Sequence, residues 1–291
     1  MNRARTLVDA LRSKQPFNKN LGQHFLVHDD ILQRTVGWAG VHANDHILEI
    51  GPGPGVLTQV LLEAGCRVTA IELDSGACSH LRHVFSEAIA QGTFVLIEAD
   101  ALTAPWPSDI TKIVANIPYQ ISSPLIDVIT RHHRQPSTTP LQEIVILVQE
   151  EFAQRVMMEY VSDVGPLGMV VALDFDAEIG ERVPPHAFSP MPKVNSRLLK
   201  LTPHCEEWEC DRRLVVMMIH SAFAQRRKKL KSTLRQAPRR IARVPGWHAS
   251  RWTAAWNALQ EDERLEQRPE TFELEDWIDL ACDFESCEEE A

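Results

Sequence analysis

Ile47-Leu48-Glu49-Ile50-Gly51-Pro52-Gly53-Pro54-Gly55 is the stretch on which the fold of this chain turns. Its apolar half reads as a short buried strand. Its glycines, at alternate positions, read as a tight turn where backbone can approach a ligand closely. Val56 to Ala64 then has the apolar spacing of a helix, and Gly65 stops it. The same alternation continues outward. Val68-Thr69-Ala70-Ile71, Phe94-Val95-Leu96-Ile97, Ile113-Val114-Ala115 and Ile144-Val145-Ile146-Leu147-Val148 read as further strands. A helix from Ser79 to Ala90, ended by Gly92, lies between two of them. Ser122 or Ser123 is expected to cap another helix, with Pro124 in its first turn. Thr130 to Pro140 reads as a variable loop. Strands alternating with helices of this length predict an α/β fold: a mainly parallel sheet covered on both faces.

Two later candidates, Ala177 to Val183 and Ser196 to Leu201, suit an antiparallel pair at the sheet edge, with Pro184-Pro185 and Pro190-Met191-Pro192 breaking the chain between them. After Pro203 strand signals stop. Leu214 to Phe223, Arg251 to Leu259 and Phe272 to Ala281 carry helical patterns. The predicted boundary lies near residue 204, giving domains 1–203 and 204–291.

A chain of 291 residues can hold one large core and a smaller one. No apolar run reaches the ~18 residues of a membrane span, and the N-terminus lacks the apolar core of a signal peptide. An intracellular, cytoplasmic protein with no membrane partner is the expectation. The six cysteines (Cys66, Cys78, Cys205, Cys210, Cys282, Cys287) form no C-x-x-C pair and have no His cluster beside them, so reduced thiols and no metal site are expected. The net charge is −10, which argues at first against a nucleic-acid partner. Phosphate binding follows the local field, however. From Arg226 to Arg243 there are nine basic residues and no acidic one. Acid gathers elsewhere, at Glu261-Asp262-Glu263 and Glu288-Glu289-Glu290. A solvated helix face would also explain a basic run, but the imbalance favours nucleic-acid contact through Arg226, Arg227, Lys228, Lys229 and Lys231.

Glu72 ends the strand after the glycine turn, about 20 residues on, where a carboxylate can accept hydrogen bonds from ribose hydroxyls. Asp100, after the third strand, is placed to reach an adenine amine. A dinucleotide would want a third glycine at position 56 for its pyrophosphate, and Val stands there. The turn therefore favours S-adenosylmethionine, with a dinucleotide as the competing reading.

Asn116-Ile117-Pro118-Tyr119 follows an apolar strand and precedes a helix. It offers an amide, an unpaired carbonyl and an aromatic plate at one point in space. That set suits gripping a flat base by its exocyclic amine. The Asn116 carboxamide and the carbonyl of Ile117 or Pro118 can accept the two N–H bonds, freeing the nitrogen lone pair. Tyr119 can stack on a base that has left its helix. A tight turn built from Asn and Pro for backbone reasons is the bland alternative.

With these segments stand Asn20-Leu21-Gly22-Gln23-His24-Phe25-Leu26, Ile71-Glu72-Leu73-Asp74, Ala99-Asp100-Ala101-Leu102, Gln120-Ile121-Ser122-Ser123-Pro124, Phe188-Ser189-Pro190-Met191-Pro192-Lys193-Val194-Asn195-Ser196 and Phe223-Ala224-Gln225-Arg226-Arg227-Lys228-Lys229-Leu230. Together they resemble the KsgA-type rRNA adenine dimethyltransferases nearly end to end. The resemblance implies a Rossmann-like class I S-adenosylmethionine-dependent methyltransferase domain and a small C-terminal α-helical, rRNA-binding domain. It implies His24 and Leu26 bordering the cofactor, Gly51 (with Gly53 in the same turn) at its methionine portion, Glu72 at its ribose and Asp100 at its adenine. Asn116 would touch cofactor and target amine, with Pro118 in the same catalytic tetrapeptide. Tyr119 and Phe188 would sandwich the target adenine. Read without the family, His24 is a polar residue beside a helix and Phe188 is ordinary core.

The activity this implies is dimethylation of two adjacent adenosines near the 3′ end of small-subunit rRNA during ribosome biogenesis. A monomer acting on the pre-small ribosomal subunit is the expected form. Two alternatives remain at this point: an antibiotic-resistance-type methylase of a large-subunit rRNA adenine, which shares the tetrapeptide, and an assembly factor acting mainly by binding.

Overall fold

The computed structural model describes residues 3–15, 22–204 and 209–287. Asn20 and Leu21 of the N-terminal motif, Cys205 and the acidic Glu288-Glu289-Glu290 lie outside the described residues. The chain divides into two compact units, 1–154 with 176–203, and 155–175 with 204–291. The sequence boundary at 204 would leave 155–175 in the first unit. That segment instead groups with the second, because Met169 and Leu173 bury themselves in the second core.

The strands are β1 (Phe25–Leu26), β2 (His46–Ile50), β3 (Arg67–Glu72), β4 (Phe94–Glu98), β5 (Lys112–Asn116), β6 (Glu143–Gln149), β7 (Phe175–Val183), β8 (Phe188–Ser189) and β9 (Ser196–Pro203). Among the described residues seven of them form one sheet in the order β4-β3-β2-β5-β6-β9-β7. β2, β3, β4, β5 and β6 run parallel, and β9 is antiparallel to β6. β2 is buried at every position, as a strand covered on both faces must be. Ile47, Val68, Val114 and Val145 pack in one core with Val56, Leu57, Val60 and Leu61 of helix Val56–Glu63. Each such side chain, fully buried, stabilises the fold by about 1.5–3 kcal/mol. The chain passes from β2 to β3 and β4 on one side, then crosses to β5 and β6 on the other. Strand order reverses between β2 and β5, and a crevice opens there beyond the carboxyl ends of the strands.

Local expectations differ from the structure at several places. The predicted helix Ser79 to Ala90 is two helices, Ser75–Val84 and Ser86–Ala90, parted at Phe85. Neither Ser122 nor Ser123 caps the helix Ser122–His133. A 3-10 turn, Tyr119–Ile121, feeds straight into it and supplies the start that a cap would otherwise mark. That helix continues to His133 and buries Thr130 and His132, so the variable loop begins four residues later than its polar composition suggests. Helices Arg3–Arg12 and Asp29–Trp38 were not foreseen. The Asp29 carboxylate accepts the backbone N–H groups of Arg3 (3.0 Å) and Ala4 (2.8 Å), a cap supplied from far along the chain.

The second unit is helical. Helices Arg212–Phe223, Ala249–Leu259 and Leu274–Ser286 bury Leu214, Met218, Trp252, Trp277 and Phe284 around a common core. The buried Trp252 indole N–H donates to the Leu234 carbonyl at 2.8 Å. No helix among the described residues is long and apolar enough to cross a membrane.

Candidate active site

A cleft opens at the strand-order reversal. The turn after β2 supplies Gly51 and Gly53, the end of β3 supplies Glu72, and the segment after β4 supplies Asp100. Asn116, Pro118 and Tyr119 come from the end of β5, and His24 and Leu26 from the N-terminal motif. Parallel strands place these groups together because each ends at the same edge of the sheet. Gly53 has φ +56, and a Cβ there would overlap the Phe25 ring. The turn therefore needs glycine twice over, for its left-handed backbone and for the aromatic pressed against it.

Glu72 is 7% exposed and organises the turn. Its carboxylate accepts the N–H of Gly53 at 2.9 Å and of Asp74 at 2.8 Å. Burial pushes its pKa up, against those two amides, which favour the charged form. Glu49 lies deeper, accepts the Thr58 hydroxyl at 2.6 Å, and is pushed up to about 8 by burial. The Asn116 oxygen Oδ1 is buried with no hydrogen-bond partner among the described residues. A buried, unpaired acceptor costs about 1–3 kcal/mol. Such a group at the floor of a cleft marks a place where something else donates to it.

Tyr119 is held at both its edge and its face. Its hydroxyl lies 2.7 Å from the Ser196 hydroxyl, and the His24 ring stacks on it at 5.7 Å between centroids. His24 Nδ1 is 2.8 Å from the Pro190 carbonyl. β1 pairs with β8, setting Leu26 opposite Phe188 and so bringing the N-terminal motif to the Phe188 motif.

The sequence model of the family described as ribosomal RNA adenine dimethylase matches residues 14–245. The chain belongs to that family. The dimethylase is 34% identical over 281 residues to the ribosomal RNA small subunit methyltransferase A of Synechocystis, covering 90% of this chain and 94% of the relative. It is 38% identical over 227 residues to the probable ribosomal RNA small subunit methyltransferase A of Natronomonas pharaonis, covering 77% and 78%. Among solved structures it is similar to a dimethyladenosine transferase from Plasmodium falciparum, with TM-score 0.75, 25% identity, and 90% of this chain and 98% of that one covered. It is also similar to the 23S rRNA methyltransferase ErmE, with TM-score 0.60, 25% identity, and 90% and 100% covered. The fold is that of class I S-adenosylmethionine-dependent methyltransferases, and the dimethylase is an enzyme of that chemistry acting on ribosomal RNA adenine.

The lining of the dimethylase cleft fits that cofactor. Among the described residues it carries three acidic side chains, Glu49 (held protonated near neutral pH by burial), Glu72 and Asp100, and no Lys or Arg. A pyrophosphate would meet no cation there, whereas a sulfonium with an ammonium group meets acceptors and acidic side chains. Of the residues singled out from sequence, His24, Leu26, Gly51, Gly53, Glu72, Asp100, Asn116, Pro118 and Tyr119 all line this one cleft. Phe188 does not line it. It is 6% exposed and packs in the core beside Leu26. Phe25 and Ser196 were not foreseen as site residues. Both lie inside recognisable motifs, but only the folded contacts give either a task.

In the second unit the basic segment is neither one helix nor uniformly free. It comprises turns, the short helix Leu230–Thr233 and the 3-10 helix Ile241–Arg243. Arg226 pairs with Glu270 (2.9 Å) and donates to the carbonyls of Ser162 and Val161. Lys229 pairs with Glu266 at 2.7 Å, and Lys231 lies 3.3 Å from the same carboxylate. Arg227 and Lys228 are exposed and make no ion pair among the described residues. The imbalance of the linear sequence is thus partly cancelled by acids that fold back onto it.

Proposed function

We propose that this dimethylase converts two adjacent adenosines near the 3′ end of small-subunit rRNA to N6,N6-dimethyladenosine, on the pre-small ribosomal subunit, as a cytoplasmic monomer. Relatives at 33–38% identity that carry the small-subunit name support this target over a large-subunit adenine. The unpaired Asn116 Oδ1 at the floor of the cleft carries the catalytic part of the reading and argues against a protein that only binds.

S-adenosylmethionine supplies an already activated methyl group. This chain's own residues must then hold the amine in line and exclude water. Asn116 Oδ1 and the carbonyl of Ile117 or Pro118 accept the two amine N–H bonds, drawing the nitrogen toward tetrahedral geometry. The nitrogen, cationic once methylated, is acidic enough to release its proton to solvent, so no strong base is needed. Tyr119 presents one face to the target base, because His24 covers the other. Glu72 keeps acceptor capacity for ribose hydroxyls beside its two amide bonds. Gly51 and Gly53 let the backbone come close, Asp100 meets an adenine amine, and His24 and Leu26 wall the cleft. Phe188 would complete the sandwich on the base only by leaving the core. In the second unit Arg227 and Lys228 are the primary phosphate contacts, with Arg226, Lys229 and Lys231 held in part by acids.

The test is incubation with labelled S-adenosylmethionine and undermethylated small subunits, followed by nucleoside analysis and a primer-extension map. N6,N6-dimethyladenosine at two neighbouring small-subunit positions is expected. Label confined to large-subunit RNA, or none, refutes the proposal. Sedimentation of the free protein checks the monomer.

A further inference from the structure

We infer that Ser196 and Glu150 are positioning residues, which set the angle of the Tyr119 ring from behind the cleft. This rests on the reading of Tyr119 as the plate under the target base. The observation is a clamp closed by one loop. Ser196 is wholly buried, opens β9, and places its hydroxyl 2.7 Å from the Tyr119 phenol. Six residues earlier on the same loop, the Pro190 carbonyl lies 2.8 Å from His24 Nδ1, and the His24 ring stacks on Tyr119. The loop therefore fixes Tyr119 at its edge directly and at its face through His24.

The loop is itself pinned. Gln149 lies opposite Ser196 in the β6–β9 ladder. The next residue, Glu150, donates its N–H to the Asn195 carbonyl at 3.0 Å. The Glu150 carboxylate accepts from the Asn195 amide (3.2 Å), from Arg197 Nε (3.1 Å) and from Arg182 (3.0 Å). Those donors hold Glu150 ionised, overcoming the opposing effect of burial. Bonds from charged partners are about twice as strong as neutral ones, so the carboxylate is the stiff point and the phenol is the part aimed. A tilt of the ring moves the base it carries, and misplacement by about 1 Å costs about a hundredfold in rate.

Tyr119 and Tyr160 are the only tyrosines, so ring-labelled tyrosine gives two NMR signals, assigned with Tyr160→Phe. In Ser196→Ala the Tyr119 signal is expected to move and the Tyr160 signal to stay. Ser196→Thr should return it. Tyr119→Phe and Ser196→Ala should each lower kcat about tenfold with KM for the cofactor unchanged, the double variant being no worse than either single one. Glu150→Gln should lower kcat in the same sense. Additive losses, an unmoved Tyr119 signal, or a loss confined to KM overturns the positioning role. Full activity of Tyr119→Ala would instead remove Tyr119 from the reaction, which is a failure of the underlying reading.

Discussion

The charge pattern of the second unit makes a quantitative prediction. Replacing Arg227 and Lys228 with Ala removes two cations that have no acidic partner among the described residues. Replacing Arg226 and Lys229 removes two that already face Glu270 and Glu266 at 2.9 and 2.7 Å. Both double variants change the net charge equally, so total charge alone predicts equal effects. Each phosphate neutralised contributes about 0.7 (single strand) to 0.9 (duplex) to the slope of log affinity against log salt. Loss of Arg227 and Lys228 should therefore flatten the slope by about 1.4–1.8. Between about 50 and 200 mM salt the parent should lose about tenfold more affinity than this variant. Loss of Arg226 and Lys229 should change the slope by less than about 1, because those charges are shared with carboxylates. It should instead lower the melting temperature slightly, because the pairs of Arg226 with Glu270 and Lys229 with Glu266 are lost. Fluorescence anisotropy with a labelled fragment of the small-subunit rRNA 3′ end, titrated across a salt series, measures both slopes. Equal flattening by the two variants would refute the argument that folded ion pairs decide which cations meet RNA.

Asn116→Ala should retain RNA affinity and lose at least about a hundredfold in single-turnover methyl transfer; full transfer would remove Asn116 from the mechanism. Burial raises Glu49 to about 8, so the native state keeps a proton that the unfolded chain releases once pH passes its ordinary carboxylate value. Stability should then fall by about 1.4 kcal/mol per pH unit between the two values, and Glu49→Gln should flatten the melting temperature over that window; an unchanged slope refutes the assignment. The same protonation predicts that S-adenosylmethionine binds more tightly as pH rises toward 8, read by calorimetry in buffers of different ionisation enthalpy. Gly53→Ala demands a left-handed backbone at φ +56 and collides with Phe25. It should cost about 1–3 kcal/mol and abolish cofactor binding, measured by melting with and without the cofactor.

The parallel α/β core was legible in the chain because its physics is local. Ile47 to Gly55 declares a buried strand and a glycine turn by apolar run and backbone freedom alone. Glu72, Asp100 and Asn116 then fall at strand ends by counting, and parallel strands deliver their ends to one edge. Motifs also carried His24 into the cleft, where periodicity alone would have left it beside a helix. What the chain could not declare depends on partners distant in sequence. Asp29 caps a helix that begins at Arg3, so no local pattern marks that start. Glu266 and Glu270 neutralise part of a segment that reads as purely basic, because charge is counted along a line and felt through space. Ser196 looks like any strand residue until folding sets its hydroxyl against Tyr119. Residue types and spacing determined the sheet and the chemistry at its edge; tertiary structure alone decided which cations stay free and what holds the aromatic plate, since both are set by distances the linear order does not contain.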